Sequence, residues 1–385
     1  MFLFRKAPMA RKAVGWEHLV IRPDTRLTPG DKKRVEKAIR KAKKEGKIAK
    51  SAQQTIPYEE MYQDGICHIT NRLYSKSVVC EDINYAEASD DEKAALFELY
   101  CKLINYFGPS VGFELSVVCY PADLEEYRRI LSSKPQGDSF DEIRKEYSDM
   151  LVGQVSKNKY GRCICVTYTI EADNIRLARS RLEQIDTDVV GHFHSLMVSA
   201  RPMDGYERLS LLHRCLHLEE NRKFRFNWDS LVNTGLSSKD YIAPSSFYFK
   251  DGRYFRTGTS FGAVSFLNIR ATKLYDSLLN GIVNLEGSKI VSIHAKALDQ
   301  NAALKMVKRK LSDLDKAKID EQKRAVRSGF DMDILPPDLV TFEKEAQKLL
   351  EDLQNNDEKM FMVTILIAHA APNRQRLENL IYSAT

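Results

Sequence analysis

Along this chain the spacing of apolar side chains switches repeatedly between about two residues and about 3.6, and the switches mark out its elements. Residues 31–50 read DKKRVEKAIRKAKKEGKIAK, with Val35, Ile39 and Ala42 at i, i+4 and i+7 and a basic residue at most other positions. That spacing predicts a helix with one narrow apolar stripe. Gly46 and the polar run 51–55 before Pro57 close this arm, so the folded body is expected to begin near Ile56. Residues 65–71 and 77–85 alternate like paired strands, with 71–75 as their turn. Residues 90–107 repeat apolar positions at Ala94, Phe97, Tyr100, Ile104 and Phe107, a helix that Asp90 or Asp91 can cap. A strand over 111–119, a charged helix over 138–152, a β-branched strand over 162–170 and an amphipathic helix over 174–197 follow.

Beyond a stretch read as a linker, 199–205, a second series begins. It predicts helices over 206–218, 273–279, 301–327, 340–354 and 374–383, and strands over 247–256, 262–269, 289–297 and 360–369. Hairpins are mixed with crossovers in both series. The expected fold is therefore α+β, with mixed or antiparallel sheets and helices packed on one face, rather than a doubly wound parallel sheet. Two ferredoxin-like halves would satisfy it. The domains read as a basic N-terminal arm (1–50), a first α+β subdomain (51–200) and a second (201–385). Without a repeat of 20–50 residues, a solenoid is not expected.

Composition narrows the class. With 43% apolar and 29% charged residues in 385, this is the make-up of a globular protein of two or three domains. The longest nearly apolar run, residues 360–371, is shorter than the roughly 18 residues a membrane helix needs. No signal-like apolar stretch opens the chain and its seven cysteines are scattered, so a cytoplasmic location is expected. Charge is uneven: residues 1–50 hold 16 Lys and Arg against 5 Asp and Glu, leaving −5 of the net +6 for the rest. A basic arm on a mildly acidic body suits phosphates, of lipid headgroups or of nucleic acid. Within the arm, Lys32, Lys33, Arg34, Lys37, Arg40, Lys41, Lys43 and Lys44 are the expected contacts to an anionic surface.

Candidate chemistry is sparse. The text nearest a P-loop, GIVNLEGSK at 281–289, has glycines six apart, serine before lysine and a strand after, and reads as a helix-to-strand turn. His213 and His217 share a helical face while Cys215 points elsewhere, and His192 and His194, two apart, do not converge on a helix. A zinc enzyme on these four histidines is the weakest of three functional readings. Cys163 and Cys165 share a strand face as small apolar side chains, and they replace the stacking aromatics an RNA-binding strand would carry there. No G-x-S-x-G occurs. Glu81 and Asp82, adjacent on a strand, face opposite sides and cannot form an acid–base pair, and Asp82 is expected to bond a turn near Tyr85. Phe224, Phe226 and Trp228 alternate in FRFNW, as a half-buried strand or a partner-binding edge would. Asp320 and Arg324 are the expected i,i+4 pair of the long charged helix.

Several long stretches, taken together, resemble one family. TIPYEEMYQDGI at 55–66, YSKS before a strand and EDINY at 81–85 are similar to the N-terminal region of conjugative-transfer ATPases of the TraE/TrbE/CagE type, found in type IV secretion systems. FNWDSLVNTGLSSKDYIAPSSFYF at 226–249 and SIHAKALDQNAALKMVKRKLSDLDKAKIDEQKRAVRSGFDMD from 292 resemble it in the same order. The likeness spans nearly the whole chain. It implies a non-catalytic docking domain that seats the motor on inner-membrane components of the secretion complex, peripheral to the inner face of the membrane. In that family the chain continues into a RecA-like module with the P-loop. ATP and magnesium, and that module as a partner, are therefore expected beyond this portion, with no cofactor in it. The alternative reading is a DNA-binding domain acting through the basic arm and an open sheet face.

Overall fold

The structure, a computed structural model, describes residue 49 and residues 51–83, 88–132, 135–157, 160–220, 222–267, 279–328, 336–355 and 358–384. The basic arm and the helix expected over 273–279 lie outside these, except Ala49 and Leu279. The fold is α+β, built on one open antiparallel sheet of eleven strands.

The first half runs from a short helix α1 (Ala52–Thr55) through β1 (Glu60–Met61), β2 (Cys67–Thr70) and β3 (Leu73–Cys80). Asn71 adopts a left-handed conformation, φ 49°, so the β2–β3 turn needs only two residues and closes earlier than the expected 71–75. Next come α2 (Asp90–Tyr106), β4 (Val111–Pro121), a helical pair α3 (Leu124–Leu131) and α4 (Asp141–Lys157), β5 (Tyr160–Glu171), α5 (Ile175–Ser195) and β6 (Ala200–Pro202). The strand order β6-β3-β5-β4, with α2 after β3 and α5 after β5, is that of a ferredoxin-like β-α-β-β-α-β unit. The stretch read as a linker thus holds its fourth strand.

The second half opens with α6 (Gly205–Leu216), α7 (Trp228–Thr234), α8 (Ser238–Ile242), β7 (Phe247–Tyr248), β8 (Phe255–Thr257) and β9 (Ser260–Phe266). It continues through α9 (Asn280–Asn284), β10 (Ser288–Ala297), α10 (Gln300–Arg327), α11 (Pro337–Asn355), β11 (Phe361–Ala371) and α12 (Arg374–Ser383). Its order β10-β11-β9 repeats β4-β5-β3, and a helical pair again separates the second strand from the third. The halves meet where β4 pairs with β10, antiparallel from Lys289↔Cys119 to Lys296↔Gly112. Ser116 and Ser292, 3.3 Å apart by their hydroxyls, lie near the centre of this seam. A pseudo-twofold axis there relates the two halves. β8 pairs with the start of β9 as β2 does with β3, and among the described residues no strand takes beside the rest of β9 the place that β6 takes beside β3.

Side-chain alternation gives the sheet two unlike faces. On one, Val78, Phe113, Tyr168 and Ile170 pack under α2 and α5 with Leu103, Leu182 and Val189. Ser89, not Asp90 or Asp91, caps α2 in a capping box with Glu92. Of the expected apolar positions Ile104 and Phe107 enter this core, whereas Phe97 (64%) and Tyr100 (43%) are exposed and Leu103, which the spacing passed over, is buried. The opposite face is covered by α6, whose Leu211 and Cys215 meet Val118, Ile290 and Ala370 across the seam.

Two buried cations flank β3. Lys76 pairs with Asp186 of α5 at 2.5 Å. On the other face Arg208 of α6 donates to the carbonyls of Gly65 (2.7 Å) and Ser75 (2.9 Å). In α10 the expected Asp320–Arg324 pair is replaced by Arg324 with Glu321, 2.8 Å.

Candidate functional site

Residues 55–66 and 226–249 meet in space. Tyr58 of TIPYEE shares a buried hydrogen bond with Ser238 of LSSKDY (2.9 Å), and Lys239 stands over its ring. Around them Ile56, Met61, Leu209 and Ile242 form a second core, against which Phe224, Phe226 and Trp228 pack. FRFNW is therefore neither a strand nor an edge: residues 222–227 are irregular, and their aromatic rings join Tyr206 and Tyr241 in one cluster. Glu81 and Asp82 follow the end of β3 and are exposed, with Asp82 accepting from the Ile83 N–H and 3.6 Å from Arg162.

Two clefts open at the Pro121 end of β4, with Tyr120 in the wall of both. The first, about 920 Å³, lies between α3, α6 and residues 217–224. Arg129, Arg214, Arg222 and Lys223 line it with Tyr206 and Phe224, and Arg214 stacks 4.3 Å over Tyr120. His213 and His217 form its floor with rings stacked at 4.2 Å, His217 Nδ1 lying 2.8 Å from the His213 carbonyl. Burial, then the neighbouring His217, pushes His213 down to about 4, and burial likewise lowers His217. Both rings are neutral at physiological pH. At the rim, burial opposes ionisation of Glu220, yet Thr259 donates its N–H and hydroxyl to it and holds it below the usual carboxylate range.

The second cleft, about 890 Å³, lies between the ends of β3–β5 and the α9–β10 turn. Its notable group is Lys289, 2% exposed, which burial pushes down and whose Nζ donates to the Leu285 carbonyl. Cys119 and His369 flank it in register, and burial, then Lys289, holds His369 near 4. Alternation in GSKIVSI places Lys289 with Val291 and Ile293, a signal in the sequence for a buried lysine that the P-loop comparison passed over.

No family model matches the chain, and no curated protein matches it. The candidate contacts Lys32, Lys33, Arg34, Lys37, Arg40, Lys41, Lys43 and Lys44 lie outside the described residues. His192 and His194 occupy the last turn of α5, away from the His213–His217 pair. Among the described residues no three His, Cys, Asp or Glu are grouped to hold a metal, and no helix is long and apolar enough to cross a membrane. Burial raises the thiols of Cys163 and Cys165, which lie on one strand face, and takes Cys80 and Cys215 to about 12. These four therefore stay protonated at neutral pH.

Proposed function

We infer that this chain is the docking and assembly portion of a conjugative-transfer, type IV secretion ATPase, non-catalytic in itself, which links the motor to inner-membrane components of the translocation complex. The observation that carries the reading is β9, which β11 flanks on one side and which β8 pairs only along Ser260–Gly262 on the other. Val264 and Phe266 of β9 are 56% and 48% exposed on the α6 side of the sheet, in register with Ala368 and Leu366, and Tyr248 and Phe249 are exposed as well. Large apolar side chains on an open sheet suit a protein partner better than solvent. The basic arm adds attraction to the anionic inner leaflet, at about 1 kcal/mol per basic residue near the surface. ATP and magnesium belong, in this reading, to the C-terminal ATPase module as a partner.

The test is co-purification in detergent with the inner-membrane components of the cognate secretion complex. Phe266→Asp with Val264→Asp is expected to abolish recovery while leaving the circular dichroism unchanged. Unaltered recovery removes β9 from the docking surface. For the arm, liposome cosedimentation of the full chain is expected to be lost when its eight named cations become glutamine.

The alternative, DNA binding through the basic arm, is favoured by one observation, the first cleft, where Arg129, Arg214, Arg222 and Lys223 stand with three aromatic rings against the carboxylates of Asp123, Glu125 and Glu220. It predicts affinity for single strands that falls steeply with salt and with Arg129→Gln plus Lys223→Gln.

A further inference from the structure

The helix α4 is apolar on two sides. Its inner side carries Ser148, buried, the half-buried Leu151 and Val152, and Arg144, which is tied to Asp138 and Asp141. Its solvent side carries Phe140 (60% exposed, just before the first turn), Ile143 (60%), Tyr147 (57%) and Met150 (50%). These four fall at i, i+3, i+7 and i+10, one seam along about three turns. Four large apolar side chains aligned on one helix and half or more in water differ from scattered surface residues. Beside the seam, one step round the helix, lie the exposed carboxylates of Glu142, Glu146 and Asp149.

We propose that this seam is a docking site for an amphipathic helix of a partner protein, whose apolar face covers Ile143, Tyr147 and Met150 and whose basic edge meets Glu142, Glu146 and Asp149. The spacing selects a helix, because side chains three and four apart form a ridge that another helix's groove accepts. The acidic edge selects the sign of the partner's charge and its orientation. The partner is thus specified as a helix of Lys or Arg flanking Leu-like positions. The proposal deepens the docking reading and rests on it only in placing the partner within the secretion complex.

The experiment uses the full chain and two designed 18-residue helical peptides with the same leucine seam, one with lysines elsewhere and one with glutamates, followed by fluorescence anisotropy. The lysine peptide is expected to bind at least tenfold more tightly than the glutamate peptide. Ile143→Asp with Tyr147→Asp should lower its affinity at least tenfold. Glu142→Gln with Glu146→Gln and Asp149→Asn should lower it several-fold and flatten its salt dependence, while the thermal midpoint of each variant stays near that of the parent. Equal binding of both peptides, or indifference to the seam variants, overturns the proposal. Dimerisation of the parent that Ile143→Asp with Tyr147→Asp abolishes assigns the seam to a second copy and also overturns it. Lysine-peptide binding that appears only when the arm's cations become glutamine assigns the seam to the chain's own arm and does the same. None of these failures touches the β9 test of docking, so the two readings fall separately.

Discussion

Gly65, in QDGI at 63–66, has φ +82°, and a Cβ there would lie 2.0 Å from the Met203 carbonyl oxygen. Its own carbonyl accepts from Arg208. Gly65→Ala is expected to cost roughly 2 kcal/mol or more, because both the left-handed backbone and the contact oppose a side chain. Urea titration checks this, and a midpoint equal to the parent's would remove Gly65 from the packing argument. The buried histidines make a second prediction. His213 and His369 are held near 4 and His217 is lowered, whereas unfolding returns each toward its ordinary 6.5. Between about pH 6.5 and 4 the unfolded chain therefore binds protons that the folded chain does not. Stability is full above this window and falls as pH drops through it, at roughly 1.4 kcal/mol per pH unit for each proton of difference. Urea midpoints at pH 7, 6 and 5 should decline, and His369→Phe should make the decline shallower.

At the scale of elements, the two halves use the same device to start a helix after their third strand. Asn174 accepts from the Leu177 N–H at 3.0 Å, and Asn373 accepts from the Arg376 N–H at 2.9 Å. Replacing either by alanine is expected to cost about 1 kcal/mol, and the pair together about twice that, since the sites are far apart in sequence and share no contact. A double-variant cost well above the sum would show that α5 and α12 are coupled. These caps also explain what was legible. The last helix matches its expected bounds, 374–383, because Pro372 and Asn373 announce its start. The strand expected over 162–170 is the core of β5, 160–171, because β-branched residues run through it, and those expected over 111–119 and 289–297 match β4 and β10 to within two residues. By contrast, β6 is three residues long and its partner lies 120 residues away, so no local pattern marks it. The α4 seam was readable as Phe140, Ile143, Tyr147 and Met150, but charged neighbours on every side made the helix read as merely polar. Exposure is a property of what packs nearby, which spacing does not contain.

For the whole molecule, the decisive joint is the β4–β10 ladder, with α6 lying across it. Ser292→Pro removes a ladder donor in the middle of the sheet and is expected to split one urea transition into two, seen as separate loss of amide protection in β5 and β11. A single transition in that variant would mean that α6 alone couples the halves. The pseudo-twofold sets more than stability. Because β4 and β10 run in opposite directions, α3–α4 leaves after Pro121 at one end of the seam and α10–α11 leaves after Ala297 at the other. The ten residues of β10, at about 3.3 Å each, separate the two departure points by roughly 33 Å. The chain is in that respect a ruler. A body held through α4 and another held through α10–α11 would be kept at a fixed spacing, and lengthening the gap would require breaking the sheet rather than bending a hinge.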